Sequence, residues 1–360
     1  VESKSVNLDG KHSVVIEDGA TFTVDFGDKK DDVEGEVNVA TIDGKTFTTA
    51  NYSNGVLTLD TATLKSLYGE KYMTVTFMKK NGSVTEKVTV VEIDLDVTTM
   101  IIRNEADLNR FLTVARENAI GASWMGIYKL ANDITCEGDY SGISGSGDTR
   151  GEIGTAAGFN GTFDGQGHAL LNCKMTGALT SDNQVYGLFG ILKGATVRNL
   201  VLGAESGDTG SFTVSGNGTT STGVIAGACV DSKIEKCTSY LPMVCEGNNS
   251  ANKLMTMGLV GFVYGAGTSE DTVSQLTDLT NYGALKADPG AANANGFTST
   301  QVGGIAGFSN TSRTSTFANR FLRCINHGDM TVSTGRASGI VAAANTFTHI
   351  VECENYGDMM

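Results

Sequence analysis

The sequence predicts an all-β protein in two parts: a β-sandwich, then a solenoid of stacked β-coils capped by one α-helix. Three observations carry this prediction. Alternating apolar runs separated by Asp-Gly and Asn-Gly turns fill residues 1–96, the pattern of short antiparallel strands. A glycine-containing knot, Gly187-Leu188-Phe189-Gly190, recurs as Val224-Ile225-Ala226-Gly227, Gly258-Leu259-Val260-Gly261, Gly304-Ile305-Ala306-Gly307 and Gly339-Ile340-Val341-Ala342. Its starts at 187, 224, 258, 304 and 339 are 34 to 46 residues apart, a period of stacked repeats. After each knot a hydrophobic strand ends in a fixed apolar position, Leu200, Cys237, Leu279, Cys324 or Cys353. In three copies an Asn-(Tyr/His)-Gly turn follows: Asn281-Tyr282-Gly283, Asn326-His327-Gly328 and Asn355-Tyr356-Gly357.

Within the first part, Ala20-Thr21-Phe22-Thr23-Val24-Asp25-Phe26 and Tyr72-Met73-Thr74-Val75-Thr76-Phe77 alternate cleanly. Asp43-Gly44, Asn54-Gly55 and Asn81-Gly82 supply turns that tolerate positive φ. Leu64, Leu67, Gly69 and Tyr72 are similar to the corner before a late strand of immunoglobulin-like sandwiches, where a tyrosine tethers the turn. Residues 1–97 are therefore assigned to an immunoglobulin-like β-sandwich of about seven strands. The charged run Asp28-Lys29-Lys30-Asp31-Asp32-Val33-Glu34 lacks the ordered ligand spacing of a calcium loop and reads as a solvated loop.

Residues 98–360 are assigned to the helix-capped solenoid. Asn104 is a good N-cap, Glu105 and Asp107 meet the helix dipole, and Leu108, Phe111, Leu112 and Ala115 follow helical spacing through residue 120. One apolar stripe ahead of a solenoid suggests a lid over its open hydrophobic end. Coils then begin at Tyr128-Lys129-Leu130-Ala131-Asn132-Asp133-Ile134. Stretches 138–151, 206–222 and 287–300 are rich in Gly, Ser, Thr and Asn and read as loops protruding from the coils. Val1 in place of Met reads as a trimmed or processed chain. A last turn closing at Asp358-Met359-Met360 reads as a solenoid truncated at the C-terminus or continuing.

Composition narrows the function. The net charge is −14, with 20 acidic and 13 basic residues on each side of position 126. An acidic surface without a basic stripe disfavours nucleic acid and anionic membranes. No apolar run reaches transmembrane length. The seven cysteines, Cys136, Cys173, Cys229, Cys237, Cys245, Cys324 and Cys353, form no Cys-x-x-Cys spacing. They read as stacked, inward-pointing free thiols, because in-register Cβ vectors suit a disulfide poorly.

Alternation places Cys324 inward, Ile325 outward, Asn326 inward and His327 outward. Inward asparagines then form a ladder along the stack. The outward position gives Tyr240, Tyr282, His327 and Tyr356 on successive coils, the candidate ligand-binding residues. Aromatic rings spaced along a rigid rod can stack on sugars, or can simply brace neighbouring coils. No catalytic residue, metal or cofactor is assigned. Asp133, Asp164, Asp182, Asp231 and Asp278 stand apart, where glycoside hydrolysis needs paired carboxylates. Asp164 reads as a turn residue. Glu270-Asp271 lie in a loop, and Glu352 and Glu354 flank the last strand on a shared outward face.

The stretches Gly187-Leu188-Phe189-Gly190 through Val197-Arg198-Asn199-Leu200, and Gly303-Gly304-Ile305-Ala306-Gly307 through Asn326-His327-Gly328, resemble the GLUG-type repeat of bacterial surface proteins. So do Phe163-Asp164-Gly165-Gln166-Gly167-His168 and the helix with its following coil, which are similar to segments preceding such repeats. Val224 and Ala342 depart from the glycines of the knot. The resemblance spans about residues 100–360. It implies a right-handed parallel β-helix on an exported, cell-surface or extracellular protein, often joined to immunoglobulin-like domains in gut Bacteroidetes-type bacteria. It carries over no catalytic residue. The resulting expectation is a monomeric, non-enzymatic, adhesin-like protein binding a glycan or a surface-protein partner. The alternatives are a polysaccharide lyase or glycoside hydrolase on the same scaffold, and a purely structural stalk.

Overall fold

The computed structural model describes residues 3–16, 21–42, 45–46, 50–60, 70–117, 126–141, 145–146, 158–180, 184–216, 218, 220–246, 254–288 and 299–360. The chain divides into two compact units, residues 1–110 with 121–129 and residues 111–120 with 130–360. Strands dominate both.

The described residues of the first unit form eight strands up to the helix. They are β1 (Lys4–Ile16), β2 (Thr21–Asp25), β3 (Glu36–Ile42), β4 (Lys45–Thr46), β5 (Ala50–Ser53), β6 (Val56–Asp60), β7 (Glu70–Asn81) and β8 (Val84–Ile102). They hydrogen-bond in the order β4-β3-β7-β8-β1-β2-β6-β5. Only the β1–β8 pair is parallel. Period-2 patterning builds one core from both halves of this sheet. Met73, Val75 and Phe77 of β7 and Val91 and Ile93 of β8 meet Val24 of β2 and Leu57 and Leu59 of β6. The rings of Phe26, Tyr52 and Phe77 interlock with centroids 4.9 to 6.3 Å apart. Each such burial stabilises by roughly 1.5–3 kcal/mol.

Asn54 and Gly55, at φ 52° and 83°, close the β5–β6 hairpin as that dipeptide implies. Asp43, Gly44, Leu64, Leu67 and Gly69 lie outside the described residues. Tyr72 sits within β7, 47% exposed. A hydrogen bond with Glu92, with burial and nearby carboxylates added, raises its phenol pKa. The corner that Tyr72 is expected to tether lies outside the described residues. The charged run forms a 3-10 turn over Gly27–Asp32 with no buried residue. Lys4 Nζ pairs with Asp32 at 3.1 Å.

Helix α1 spans Glu105–Glu117. Asn104 Oδ1 accepts the Asp107 amide at 2.9 Å, and Asp107 Oδ2 accepts the Arg103 amide at 3.0 Å. Asn104 thus satisfies one orphan helix donor, and Asp107 ties the residue before the cap to the first turn. Leu108, Phe111 and Leu112 are buried. Within the second unit, Phe111 packs on Phe159, Phe163 and Phe189 with centroids 5.3 to 6.2 Å away. Residues 118–120 lie outside the described residues.

In the second unit the chain passes four sheets, here called walls, in a repeating order. Wall 1 holds 162–164, 196–198, 233–235, 275–277, 319–322 and 348–351. Wall 2 runs from 134–135 and 169–171 through 201–202, 238–239, 280–281 and 325–326 to 354–355. Wall 3 runs from 139–141 to 330–332, and wall 4 from 145–146 to 341–344. Each strand pairs with its counterpart one circuit later. The pairing is parallel throughout walls 1, 2 and 3, as in Thr196↔Lys233↔Gln275↔Arg320↔His349. The first pair of wall 4, Gly145–Ser146 with Gln184–Val185, is antiparallel.

The glycine knots divide wall 4. Residues before a knot pair with those before the next, and residues after it likewise. The last glycine of the knot lies against the earlier half-strand of the preceding circuit. A Cβ on Gly261 would stand 2.5 Å from the Thr222 nitrogen, and one on Gly307 2.4 Å from the Met257 nitrogen. Backbone approaches this close leave no room for a side chain at Gly261 or Gly307. Register also corrects the reading of Val224. Gly223 pairs with Gly258 and Ala226 with Val260, so the glycine is present and one residue is inserted after it. Ala342, which follows the Ala306↔Val341 pair, does occupy the glycine position.

Candidate functional site

The candidate site is built on the corner after wall 2. Thr238–Ser239, Thr280–Asn281, Ile325–Asn326 and Glu354–Asn355 pair in register. Ser239, Asn281 and Asn326 are fully buried, while Thr238, Thr280 and Ile325 are half-buried. Asn281 Nδ2 donates to Asn326 Oδ1, and Asn326 Nδ2 to Asn355 Oδ1, both at 2.8 Å. The same two nitrogens donate to the carbonyls of Gly283 and Gly328, and Asn355 Nδ2 donates to that of Gly357, at 2.9 to 3.0 Å. This amide ladder satisfies buried polar groups and fixes the turn that follows.

The residue after each rung is pinned to the circuit before it. The amides of Tyr282, His327 and Tyr356 donate to Ser239, Asn281 and Asn326 at 2.7 Å, and that of Tyr240 to Leu202 at 2.8 Å. The four rings form one stack. Centroids of Tyr240–Tyr282, Tyr282–His327 and His327–Tyr356 are 4.9, 4.7 and 5.0 Å apart, at interplanar angles of 7°, 3° and 10°. These intervals are the strand spacing of a parallel sheet. Tyr282 and His327 each have a ring neighbour on both faces, and Tyr282 is 45% exposed. Tyr356 is 64% exposed, and its hydroxyl donates to Glu354. That carboxylate raises the Tyr356 phenol pKa. Burial, then Tyr282 and Glu205, raise that of Tyr240.

The isolated acids are engaged at corners. Asp164 is buried and accepts hydrogen bonds from Arg198 Nε at 2.8 Å, Asn199 Nδ2 at 3.0 Å and the Gln166 amide at 3.0 Å. Burial opposes its ionisation, but the three donors outweigh burial and hold the carboxyl below its usual value. Asp231 accepts the Ala266 amide at 2.7 Å, and burial raises its pKa. Asp133 meets His168 Nδ1 at 3.2 Å. Asp278 takes a bidentate pair from Arg323 at 2.7 and 2.9 Å. Glu270 binds Arg320 at 2.9 Å. Asp182 lies outside the described residues. Glu352 has φ 54° and occupies the corner between walls 1 and 2. Simple alternation fails across that turn, so Glu352 does not share a strand face with Glu354.

One feature escaped the sequence reading. The residue before each fixed apolar position, Asn199, Lys236, Asp278, Arg323 and Glu352, is left-handed, with φ from 50° to 56°. From Lys236 onward this column alternates in sign. Its signal was visible as a polar residue immediately ahead of Leu200, Cys237, Leu279, Cys324 and Cys353. None of the seven cysteines forms a disulfide. Burial pushes the thiols of Cys229, Cys237 and Cys245 up to about 12, which makes them inert nucleophiles at neutral pH.

Among the described residues, no group of three or more His, Cys, Asp or Glu is placed to hold a metal ion. No described helix is long and apolar enough to cross a membrane. No protein-family model and no curated protein matches the chain.

Proposed function

We propose that the second unit is a right-handed parallel β-helix of GLUG-type repeats following an immunoglobulin-like sandwich. In this reading the protein is exported, non-enzymatic and adhesin-like, and it binds a glycan or a partner protein through the outward ladder. The observation that supports binding is the rigid row of Tyr240, Tyr282, His327 and Tyr356, backed by a buried amide ladder. Repeated weak contacts along such a row gain affinity through multivalency.

Native affinity electrophoresis against mucins and plant and bacterial polysaccharides tests this, with reducing ends and unsaturated products assayed in the same samples. Retardation without products is expected. Product release would replace this reading with a polysaccharide-active enzyme. A structural stalk is the second reading, favoured by the mutual covering of the ring faces. It predicts neither retardation nor products.

A further inference from the structure

Resting on the binding role proposed above, we infer that the ladder takes an extended neutral glycan lying along the stack, one sugar per rung and recognised edge-on. The middle rings cover each other's faces at 4.7 to 5.0 Å. A sugar therefore cannot lay its apolar face on Tyr282 or His327. What these rungs present is a row of phenol hydroxyls and an imidazole edge. Thr238 and Thr280, half-buried two residues earlier on the same outward face, add a hydroxyl beside each of the first two rungs, where Ile325 and Glu354 stand beside the next two.

A ligand meeting every rung must place a polar group at each rung interval, along the stacking axis. A peptide strand advances by only about 3.3 Å per residue and is already out of step at the second rung. A nucleic acid is repelled by the net charge of −14. An extended glycan with equatorial linkages, such as a β-1,4-linked chain, advances by close to one rung per sugar; successive sugars are turned over, yet each still offers a hydroxyl edge to its rung. Glu354 beside Tyr356, and Glu205 acting on Tyr240, put negative charge at the two ends of the row. Neutral sugars are favoured there over uronates.

The test is titration calorimetry with β-1,4-linked gluco- and xylo-oligosaccharides of two to six sugars. α-1,4-linked gluco-oligosaccharides and oligogalacturonates serve as comparators. Affinity should rise with each added sugar up to four or five, then level off. The Tyr282→Phe variant retains the ring and loses the hydroxyl, and it should bind about tenfold more weakly with an unchanged circular dichroism spectrum. Wild-type affinity in Tyr282→Phe, equal binding of the α-linked series, or affinity independent of length would each overturn the edge-on inference while leaving glycan binding intact. Binding of no glycan in this set or among the electrophoresis polysaccharides would overturn both.

Discussion

At the scale of single residues, Asn326 carries the most consequence per atom. Its amide accepts from Asn281 and donates to Gly328, both out of water, and donates to the exposed Asn355. Asn326→Ala should destabilise the second unit by about 3 kcal/mol, since two buried partners are left unsatisfied. Asn326→Asp, which accepts but cannot donate when ionised, should cost at least as much at pH 7. Urea unfolding measures both, and a change under 1 kcal/mol for either would refute the structural role of the amide ladder.

Two carboxylates make opposite pH predictions. Hydrogen bonds hold Asp164 below the ordinary carboxylate value, so its contribution is present above about pH 4 and lost as pH falls through its folded pKa. Asp231 is raised by burial; its ionisation opposes folding, so stability falls as pH rises through its folded pKa. Asp164→Asn should therefore lower stability at pH 7 and flatten the loss below pH 4. Asp231→Asn should raise stability at pH 7 and lose that advantage in acid. Stability curves parallel to wild type from pH 2 to 7 would contradict both assignments. The inward asparagines and outward rings were legible from period-2 alternation. The left-handed corner column was not, because positive φ is imposed by where two walls meet. The covering of ring faces was equally hidden, since alternation gives a side chain's direction and says nothing of its tilt.

At the scale of elements, the knot explains its own glycines. Gly261 faces the Thr222 backbone with no room for a Cβ, whereas Gly194 has φ 67° and open space around it. Gly261→Ala must push two half-strands apart and should cost about 3 kcal/mol or more. Gly194→Ala should cost only about 1 kcal/mol, the left-handed penalty of a Cβ. Equal midpoints for the two variants in thermal unfolding would show that backbone contact does not select the glycine. The recurrence of the knot was readable in the sequence. Its register was not: the insertion after Gly223 disguises the second copy, and only pairing with Gly258 reveals it. The start of α1 was readable because Asn104 and Asp107 form a local motif. The strand count of the first unit was less so, since short edge strands such as β4 leave little pattern.

At the scale of the whole molecule, one short repeat generates several ladders at once: amides, aromatic rings and alternating charges. Each ladder follows from parallel pairing in register, which brings equivalent residues to within one strand spacing. The stack thereby turns a local motif into a long periodic surface, and the proposed function depends on that surface being read by a ligand. The most direct measurement compares wild-type protein with Tyr282→Ala in native affinity electrophoresis against the retarding polysaccharide, with thermal unfolding recorded on the same preparations. The account predicts that Tyr282→Ala loses retardation while its unfolding midpoint falls by only a few degrees. Unchanged retardation in Tyr282→Ala would contradict it and leave the aromatic column as a brace between circuits.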